Sequence, residues 1–278
     1  MKNAIKNGIN FLFPNLGKKA RIYRLKKILH SAPQITSDGV KFWGAQVYDN
    51  YEKNIHNVLI KLMGRCDLFI NVGANHGVYC LKLSKLSDCV LAFEAFPDNL
   101  KLLFKNINEN GLKDKIIVYP VAVGSTESLV TFYGASTGGS LLKGWNQQSD
   151  FGITLPLHSL DGLIYSKIIE KQARPLFLID VEGAEYEVVK GAFKIISEVP
   201  GCIFCIEIPC KEFMPDEIFN PHFLDIFEQF FKLGYLAWEI KINGELCKIN
   251  LAIVTGFFQS ARYEGVMVVF SKEEISGW

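Results

Sequence analysis

Three carboxylates of this 278-residue chain lie where apolar runs end. Asp180 and Glu182 directly follow the apolar run 176–179, and Glu207 lies near the end of the run 202–208. A carboxylate that closes a buried strand is costly unless it serves a ligand, a metal or a hydrogen-bond network. If the two strands are neighbours, the three side chains converge, so that either one has a raised pKa suited to a general base or a divalent cation lies between them. These residues are the catalytic candidates, and the sequence leaves both alternatives open.

The segment FINVGANHG, residues 69–77, is a second candidate site, in which an apolar run leads into a glycine-containing turn. Glycine lets the backbone approach a ligand closely, and the N-terminus of a following helix favours a carboxylate or a phosphate. The next apolar run ends at Glu94, 17 residues after Gly77, where an acidic side chain accepts both ribose hydroxyls of an adenosine. The turn and the carboxylate together predict a nucleotide-type cofactor.

The spacing of this turn favours S-adenosylmethionine over a dinucleotide. A dinucleotide fingerprint that starts at Gly73 would require glycine at positions 75 and 78, which are Asn75 and Val78. A pyrophosphate therefore does not fit, whereas S-adenosylmethionine carries no phosphate at its methionine end and needs only a donor-rich pocket.

Other polar residues near these motifs have weaker chemical interpretations. His76 lies inside the turn and is either a base or a surface histidine at the start of a helix. Glu185 and Glu187 are interpreted as first-turn residues that complement a helix dipole. Cys202 and Cys205 have C-x-x-C spacing, but no second ligand pair with suitable spacing accompanies them, so no metal site is predicted.

Short apolar runs alternate with helical patterns from Cys66 onward, which is typical of βαβ units and of a parallel sheet buried on both faces. The predicted strands are 67–73, 89–94, 116–121, 176–181, 202–208, 235–240 and 266–270. Apolar residues at helical spacing predict amphipathic helices between Pro97 and Gly111, around 188–195, and over 223–230.

Two regions depart from this alternation. Residues 1–60 are rich in basic and aromatic side chains and are predicted to form a helical N-terminal extension to a domain over 61–278. A glycine-rich segment at about 125–161, with β-like pieces at 129–133 and 153–157, interrupts the helix expected between the third and fourth strands. An insertion near the carboxyl ends of strands often shapes a substrate pocket.

Composition limits the class of protein. The chain has 30 basic and 29 acidic residues, so it lacks the overall charge of a nucleic-acid-binding protein. No signal peptide or membrane span is predicted, because Pro14 ends the short apolar run 9–13 and no run approaches about 20 residues. Several of the seven cysteines lie in apolar runs, as free thiols do in a reducing compartment, and we expect a cytoplasmic protein.

The N-terminal segment is locally basic, because eight Lys and Arg residues and no Asp or Glu precede Asp38. Such a segment is either a solvated face or a surface that docks on an anionic membrane or a phosphate-bearing lipid-linked glycan. In the second case the protein would lie peripherally at the inner face of the membrane.

The order of short motifs between residues 48 and 209 resembles that of the FkbM family of class I S-adenosylmethionine-dependent methyltransferases. NVGANHG (71–77) resembles the family's D-x-G-A-N-x-G, AFEAFP (92–97) its A-F-E-P-x-P, and IDVEGAE (179–185) its I-D-V-E-G-x-E. The pairs and triplets YE (51–52), SLD (159–161) and IE (206–207) also follow in the expected order. The chain departs from the family at Asn71, Ala95 and Leu178, where Asp, Pro and often Lys are usual.

The resemblance implies a Rossmann-like class I methyltransferase fold, with a mostly parallel sheet and an antiparallel edge strand. It places the methionine end of the cofactor at the glycine turn, the ribose on Glu94 and the adenine near Ala95 and Phe96. Asp180, Glu182 and Glu207 would face the transferring methyl group. The implied cofactor-binding residues are Asn71, Gly73, Ala74, Asn75, Gly77, Glu94, Ala95 and Phe96.

The resemblance also implies O-methyl transfer to a hydroxyl, and because family members often methylate sugar hydroxyls, a glycan or glycoconjugate acceptor is favoured. A divalent metal is not predicted, although the sequence leaves its use open. Two alternatives stand beside this interpretation: a nicotinamide-dependent sugar oxidoreductase, and a non-catalytic binding subunit that retains the fold, the latter because of Asn71.

Overall fold

The computed structural model describes residues 14–134, 138–147 and 152–275. Lys2 and Lys6 of the basic segment, and residues 135–137 and 148–151 of the predicted insertion, lie outside the described residues.

The apolar runs form strands, and the periodic segments form helices. The strands are β1 (Gln34–Ile35), β2 (Lys41–Phe42), β3 (Leu68–Val72), β4 (Cys89–Phe93), β5 (Ile116–Tyr119), β6 (Ala122–Val123), β7 (Ser128–Tyr133), β8 (Gly152–His158), β9 (Pro175–Ile179), β10 (Ile203–Ile208), β11 (Leu236–Ile240), β12 (Leu246–Ile249) and β13 (Val266–Ser271). The helices are α1 (Pro14–His30), α2 (Lys53–Met63), α3 (Val78–Leu83), α4 (Pro97–Glu109), α5 (Leu160–Lys171), α6 (Glu185–Lys190), α7 (Phe193–Glu198), α8 (Phe223–Lys232) and α9 (Leu251–Gln259).

The central sheet has eight strands in the order β12-β11-β13-β10-β9-β3-β4-β5. Five neighbouring strands of this sheet, β10, β9, β3, β4 and β5, are parallel. The edge strand β12 runs antiparallel to β11. The predicted class I methyltransferase fold is therefore confirmed. A second antiparallel strand, β13, lies inside the sheet between β10 and β11, although its apolar run does not reveal its direction.

Both faces of the sheet are covered, which explains why the central strands β4 and β9 are apolar at every position. In β9, Phe177 and Ile179 pack in a cluster with residues of α5, α6, α7 and α8, whereas Leu176 and Leu178 pack in a second cluster with residues of α2, α3 and α4. All four side chains are buried, and burial of each contributes roughly 1.5–3 kcal/mol to the free energy of unfolding. This two-faced core fixes where β9 ends and hence where Asp180 lies.

The predicted helices form, with one interruption. Helix α4 begins at Pro97 as predicted, whereas the segment predicted around 188–195 is divided into α6 and α7 at Gly191. A Cβ atom at Gly191 would overlap the carbonyl oxygen of Gly124, so glycine at this break allows the two backbone segments to approach closely. Asp161 then accepts hydrogen bonds from the backbone N–H groups of Lys194 and Ile195 at the start of α7.

The predicted β-like pieces of the insertion form β7 and β8, which pair antiparallel, with β6 parallel to β8. The extension predicted over 1–60 is helical in α1 and α2, but β1 and β2 form a two-stranded sheet between these helices. Within the described residues, no helix is long and apolar enough to cross a bilayer. All seven cysteines are free thiols.

Candidate active site

A cleft of about 380 Å³ opens at the carboxyl ends of β3, β4 and β9. Its volume falls within the range of roughly 300–1,000 Å³ that is usual for small-molecule sites. Eight of the predicted site residues line it: Asn71, Gly73, Ala74, Asn75, Glu94, Ala95, Asp180 and Glu182. We call 73–75 with Glu94 and Ala95 the turn wall, and Asp180 and Glu182 with Glu207 behind them the acidic wall.

The other predicted residues lie beside the cleft. The Cα of Gly77 faces the side chain of Leu103, since an added Cβ would meet that side chain. Phe96 is buried and stacks on Phe132, which does line the cleft, with ring centroids 5.6 Å apart. Glu207 reaches the site through Asp180.

The turn wall depends on a close backbone approach at Gly73. This residue has a φ of 90°, and a Cβ atom would overlap the carbonyl oxygen of Asp180. The backbone N–H of Asp180 donates to the carbonyl of Val72 at 3.0 Å. Sequence reasoning attributed this glycine to the approach of a ligand, whereas the structure shows that it also permits contact between the turn and the end of β9.

Glu94 holds the turn to the end of β4. Its two carboxylate oxygens accept hydrogen bonds from the backbone N–H groups of Asn75 and Phe96, each at 2.7 Å, and the amide of Asn99 donates at 3.4 Å. Burial raises the pKa of Glu94, and the backbone donors oppose that change. The side chain predicted to bind ribose is therefore fixed in position by three donors.

Asp180 and Glu207 form a carboxyl pair on adjacent parallel strands. The pairing of Ile179 with Ile206 brings them side by side, and their side chains hydrogen-bond to each other. Such a bond requires that one carboxyl group keeps its proton. Burial, followed by the neighbouring carboxylates, raises the pKa of Asp180 well above its usual range, and burial raises the pKa of Glu207 to about 7.

Glu182 is oriented by the insertion. The indole N–H of Trp145 donates to its carboxylate at 2.8 Å, and the hydroxyl of Ser140 donates to its backbone carbonyl at 2.5 Å. Its φ of 57° is unusual for a residue with a side chain and is typical of strained functional sites. Burial and the charge of Asp180 raise the pKa of Glu182 to about 7.

Glu185 lies in the first turn of α6 as predicted, and it also contacts the backbone of the preceding loop. This side chain is only 2% exposed, and it accepts hydrogen bonds from the backbone N–H groups of Val181 and Gly183 at 3.1 and 3.0 Å. It therefore braces the loop before α6, and burial raises its pKa to about 7. Glu187 lies in the first turn of α6 as predicted, where it pairs with Lys190 at 3.0 Å.

His76 lines the cleft and is only 2% exposed, so the surface interpretation is wrong. Its Nδ1 lies 2.9 Å from Oε1 of Gln46, and burial lowers its pKa to about 4. The ring is neutral near pH 7 and joins the turn to the N-terminal part of the chain.

Sequence reasoning assigned no site role to Tyr51, Glu52 or Tyr79. Tyr51 and Tyr79 line the cleft with their rings edge to face, 6.0 Å between centroids, and the hydroxyl of Tyr79 donates to Glu52 at 2.5 Å. The YE motif at 51–52 was the available signal, but its position ahead of β3 does not reveal that it returns to the cleft.

The acidic wall bears on the two alternatives left open by the sequence. Among the described residues, no group of three or more His, Cys, Asp or Glu side chains is arranged to hold a metal ion. Burial, followed by the neighbouring carboxylates, raises the pKa of Asp180, and burial raises the pKa of Glu207, which favours the alternative of a carboxyl group with a raised pKa.

The sheet order and the cleft at its carboxyl edge define a class I methyltransferase fold. The family model described as methyltransferase FkbM domain matches residues 71–237, which is more than half of the chain. The chain therefore belongs to the FkbM methyltransferase family, as the motifs implied.

Solved structures with similarity to this chain are remote in sequence. A methyltransferase FkbM from Methylobacillus flagellatus is 15% identical, with a TM-score of 0.48; the match covers 74% of this chain but 44% of that protein. A precorrin-6y C5,15-methyltransferase from Geobacter metallireducens is 11% identical over 87% of this chain and 100% of that one, with a TM-score of 0.45. Pyrococcus horikoshii TYW2, solved in complex with MeSAdo, is 16% identical over 86% and 70% of the two chains, with a TM-score of 0.40. No curated protein sequence matches the chain.

Proposed function

We propose that this protein is an S-adenosylmethionine-dependent O-methyltransferase that acts on a hydroxyl of a glycan or glycoconjugate. The observation that carries the proposal is that Glu94 and Asp180, which are distant in sequence, line one small cleft. A ligand in this cleft would contact both the turn wall and the acidic wall.

The chemistry of the lining residues fits S-adenosylmethionine. Glu94 would hold the ribose hydroxyls, and Ala95, Val121 and Phe132 offer an apolar surface for the adenine. Among the described lining residues there is no Lys or Arg, whereas Asp180 and Glu182 are acidic, and this charge favours a ligand that carries a sulfonium and an ammonium group. When bound, S-adenosylmethionine supplies an electrophilic methyl group.

The acidic wall would provide the base. An alcohol is a poor nucleophile at neutral pH, and a carboxylate with a pKa near the working pH is suited to take its proton. Glu182 has a pKa of about 7, and Asp180 belongs to a pair that holds a proton. We assign the proton transfer to Asp180 or Glu182, with Glu207 tuning Asp180.

A hydroxyl-rich acceptor is consistent with the polar groups that remain in the cleft. Carboxylate and amide side chains are effective partners for sugar hydroxyls, and Gln46, Asp180 and Glu182 supply them here. The lack of Lys and Arg in the described lining disfavours a phosphate group beside the reacting hydroxyl.

Calorimetric titration with S-adenosylmethionine tests the proposal first. Binding with micromolar affinity is expected, and no binding at millimolar cofactor would leave the non-catalytic alternative. Incubation with labelled S-adenosylmethionine and fractionated host glycans would then identify the acceptor. The nicotinamide-dependent alternative is not retained, because the chain belongs to a methyltransferase family.

We also propose that the basic N-terminus docks on an anionic membrane surface. Supporting this proposal, Arg24, Lys26 and Lys27 are exposed on α1, and Tyr23 beside them is 72% exposed. Basic and aromatic side chains together are typical of segments that bind such surfaces. Deletion of residues 1–28 should abolish sedimentation with acidic liposomes, and unchanged sedimentation would contradict the proposal.

A further inference from the structure

One wall of the cleft comes from residues outside the matched domain. Gln46 and Tyr51 line the cleft, although the FkbM domain match begins at residue 71. The segment 43–52 is tied to the rest of the molecule through Asn106, whose side chain bonds the backbone N–H and carbonyl of Trp43 at 2.8 and 2.9 Å. These bonds hold the segment against the turn wall.

Glu52, the last residue of this segment, has an unusual backbone conformation. It has a φ of 41° and precedes α2, yet its side chain makes no capping hydrogen bond to that helix. The carboxylate accepts the hydrogen bond from the hydroxyl of Tyr79, which lines the cleft. Because the Glu52 side chain does not cap α2, capping does not explain its left-handed backbone conformation. The hydrogen bond from Tyr79 is the interaction that holds this side chain in place.

Glu52 joins a cluster of carboxyl groups that interact electrostatically. The titratable groups that interact with it are Asp180, Glu182 and Glu207 on the acidic wall, Tyr51 on its own segment, Tyr79 and Lys82 on α3, and Cys205 on β10. Glu185, the first residue of α6, interacts in turn with Asp180 and Glu207. The negative charge of Glu52 contributes, after burial, to the raised pKa of Asp180, Glu182 and Glu207.

Two observations that do not depend on these pKa values indicate that the cluster holds protons. The pairing of Ile179 with Ile206 places the carboxyl groups of Asp180 and Glu207 side by side at the ends of adjacent strands, and two such groups cannot both ionise cheaply. The Oε2 atom of Glu185 is buried and has no hydrogen-bond partner within the described residues. A fully ionised cluster with such an atom would be costly in a cleft without a lining cation.

We propose that Glu52 is a positioning residue that completes a proton-holding carboxyl cluster, and that entry of the cationic cofactor into the cleft releases a proton from this cluster to solvent. The proposal rests on the function proposed above. The balance is simple: one carboxyl O–H bond breaks, the proton passes to the buffer, and the carboxylate that remains faces the positive charge of the ligand.

The protonation of the cluster can be tested without ligand. Infrared titration of the carboxyl C=O band should show protonated carboxyl groups near pH 7 in the wild-type protein, and Glu52→Gln should shift their ionisation to lower pH. Asp49→Asn is the matched control, because Asp49 is an exposed carboxylate of the same segment that contacts Ser37 rather than the cluster. Equal titration of the wild type and Glu52→Gln would overturn the role of Glu52.

Proton release can be tested by calorimetry with S-adenosylmethionine in two buffers of different ionisation enthalpy at pH 6.5. We expect the wild type and Asp49→Asn to release a substantial fraction of a proton per cofactor bound, and Glu52→Gln to release less than half as much. S-adenosylhomocysteine, which lacks the sulfonium charge, should release less than S-adenosylmethionine. Binding of S-adenosylmethionine without proton release in the wild type would overturn the linkage.

The variant Tyr79→Phe distinguishes the effect of the Glu52 charge from the effect of the hydrogen bond that holds Glu52 in place. This variant removes the hydrogen bond to Glu52 but leaves the charge, so proton release should be retained. If Tyr79→Phe loses release as Glu52→Gln does, the effect comes from loosening of the segment, and the proposal is wrong. A protein that binds no S-adenosylmethionine in either buffer contradicts the proposed function, whereas the infrared titration still decides the role of Glu52.

Discussion

The turn wall and the acidic wall meet in one cleft but are built in different ways. The turn wall comes from two short motifs, 71–77 and 92–97, which Glu94 joins by accepting hydrogen bonds from the backbone N–H groups of Asn75 and Phe96. The acidic wall lies at the ends of β9 and β10, and the insertion orients its Glu182 through Ser140 and Trp145. We infer that local motifs determine where the cofactor binds, whereas long-range packing determines the proton affinity of the groups opposite it.

Loss of the carboxylate at Asp180 should give the largest effect on catalysis. Asp180→Asn should lower the rate of methyl transfer at saturating S-adenosylmethionine by about 10²–10⁴-fold, since a general base contributes that much. Single-turnover transfer from labelled cofactor measures the rate, with Glu187→Gln on the half-exposed first turn of α6 as control. Unchanged turnover in Asp180→Asn would remove this residue from the mechanism.

The contact between the two walls can be broken at Gly73. Gly73→Ala should reduce the free energy of unfolding by about 3 kcal/mol, because the new Cβ meets a carbonyl oxygen and the positive φ is unfavourable. Gly111→Ala is the matched control: its φ is 67° but no atom lies within 4 Å of the added Cβ, so a loss of about 1 kcal/mol is expected. Equal losses in urea unfolding would contradict the crowding argument.

The turn wall alone is tested at Glu94. Glu94→Gln should weaken S-adenosylmethionine binding by about 10- to 100-fold, which corresponds to one charged hydrogen bond of roughly 1.5–3 kcal/mol. The transfer rate at saturating cofactor should stay near that of the wild type. Calorimetry with Glu109→Gln, an exposed carboxylate at the end of α4, provides the control. A reduced saturating rate with unchanged affinity would mean that the two walls are not separable.

The smallest effect is expected where the insertion meets Glu182. Trp145→Phe removes a donor that stabilises the ionised carboxylate, so the pKa of Glu182 should rise above about 7 and more of the base should be protonated at a given pH. The acid limb of the pH–rate profile should move to higher pH by about 0.5–1 unit, the equivalent of one hydrogen bond. Trp43→Phe, whose indole bonds the carbonyl of Ser31, should leave the limb in place. A shift to lower pH would contradict the assignment.

Much of the turn wall and its supporting elements could be predicted from sequence, because their determinants lie within a few residues of one another. The strands ahead of Gly73 and Glu94 and the start of α4 at Pro97 are examples. The internal position of β13 could not be predicted, because strand order depends on pairing between distant segments. The same limit applies to Glu52, whose contact with Tyr79 spans 27 positions, and to the break at Gly191.

The close approach of Gly73 to the carbonyl of Asp180 has a consequence for how the cleft of this protein can change. No side chain stands between the two main-chain segments, so the span from the ribose end to the reactive end is set by peptide units alone. Side chains around the cleft can then be exchanged for new acceptors while the reach across it stays constant. In such a scaffold, substitutions can change which acceptor is preferred. The distance over which the methyl group is transferred stays the same, because the backbone sets it.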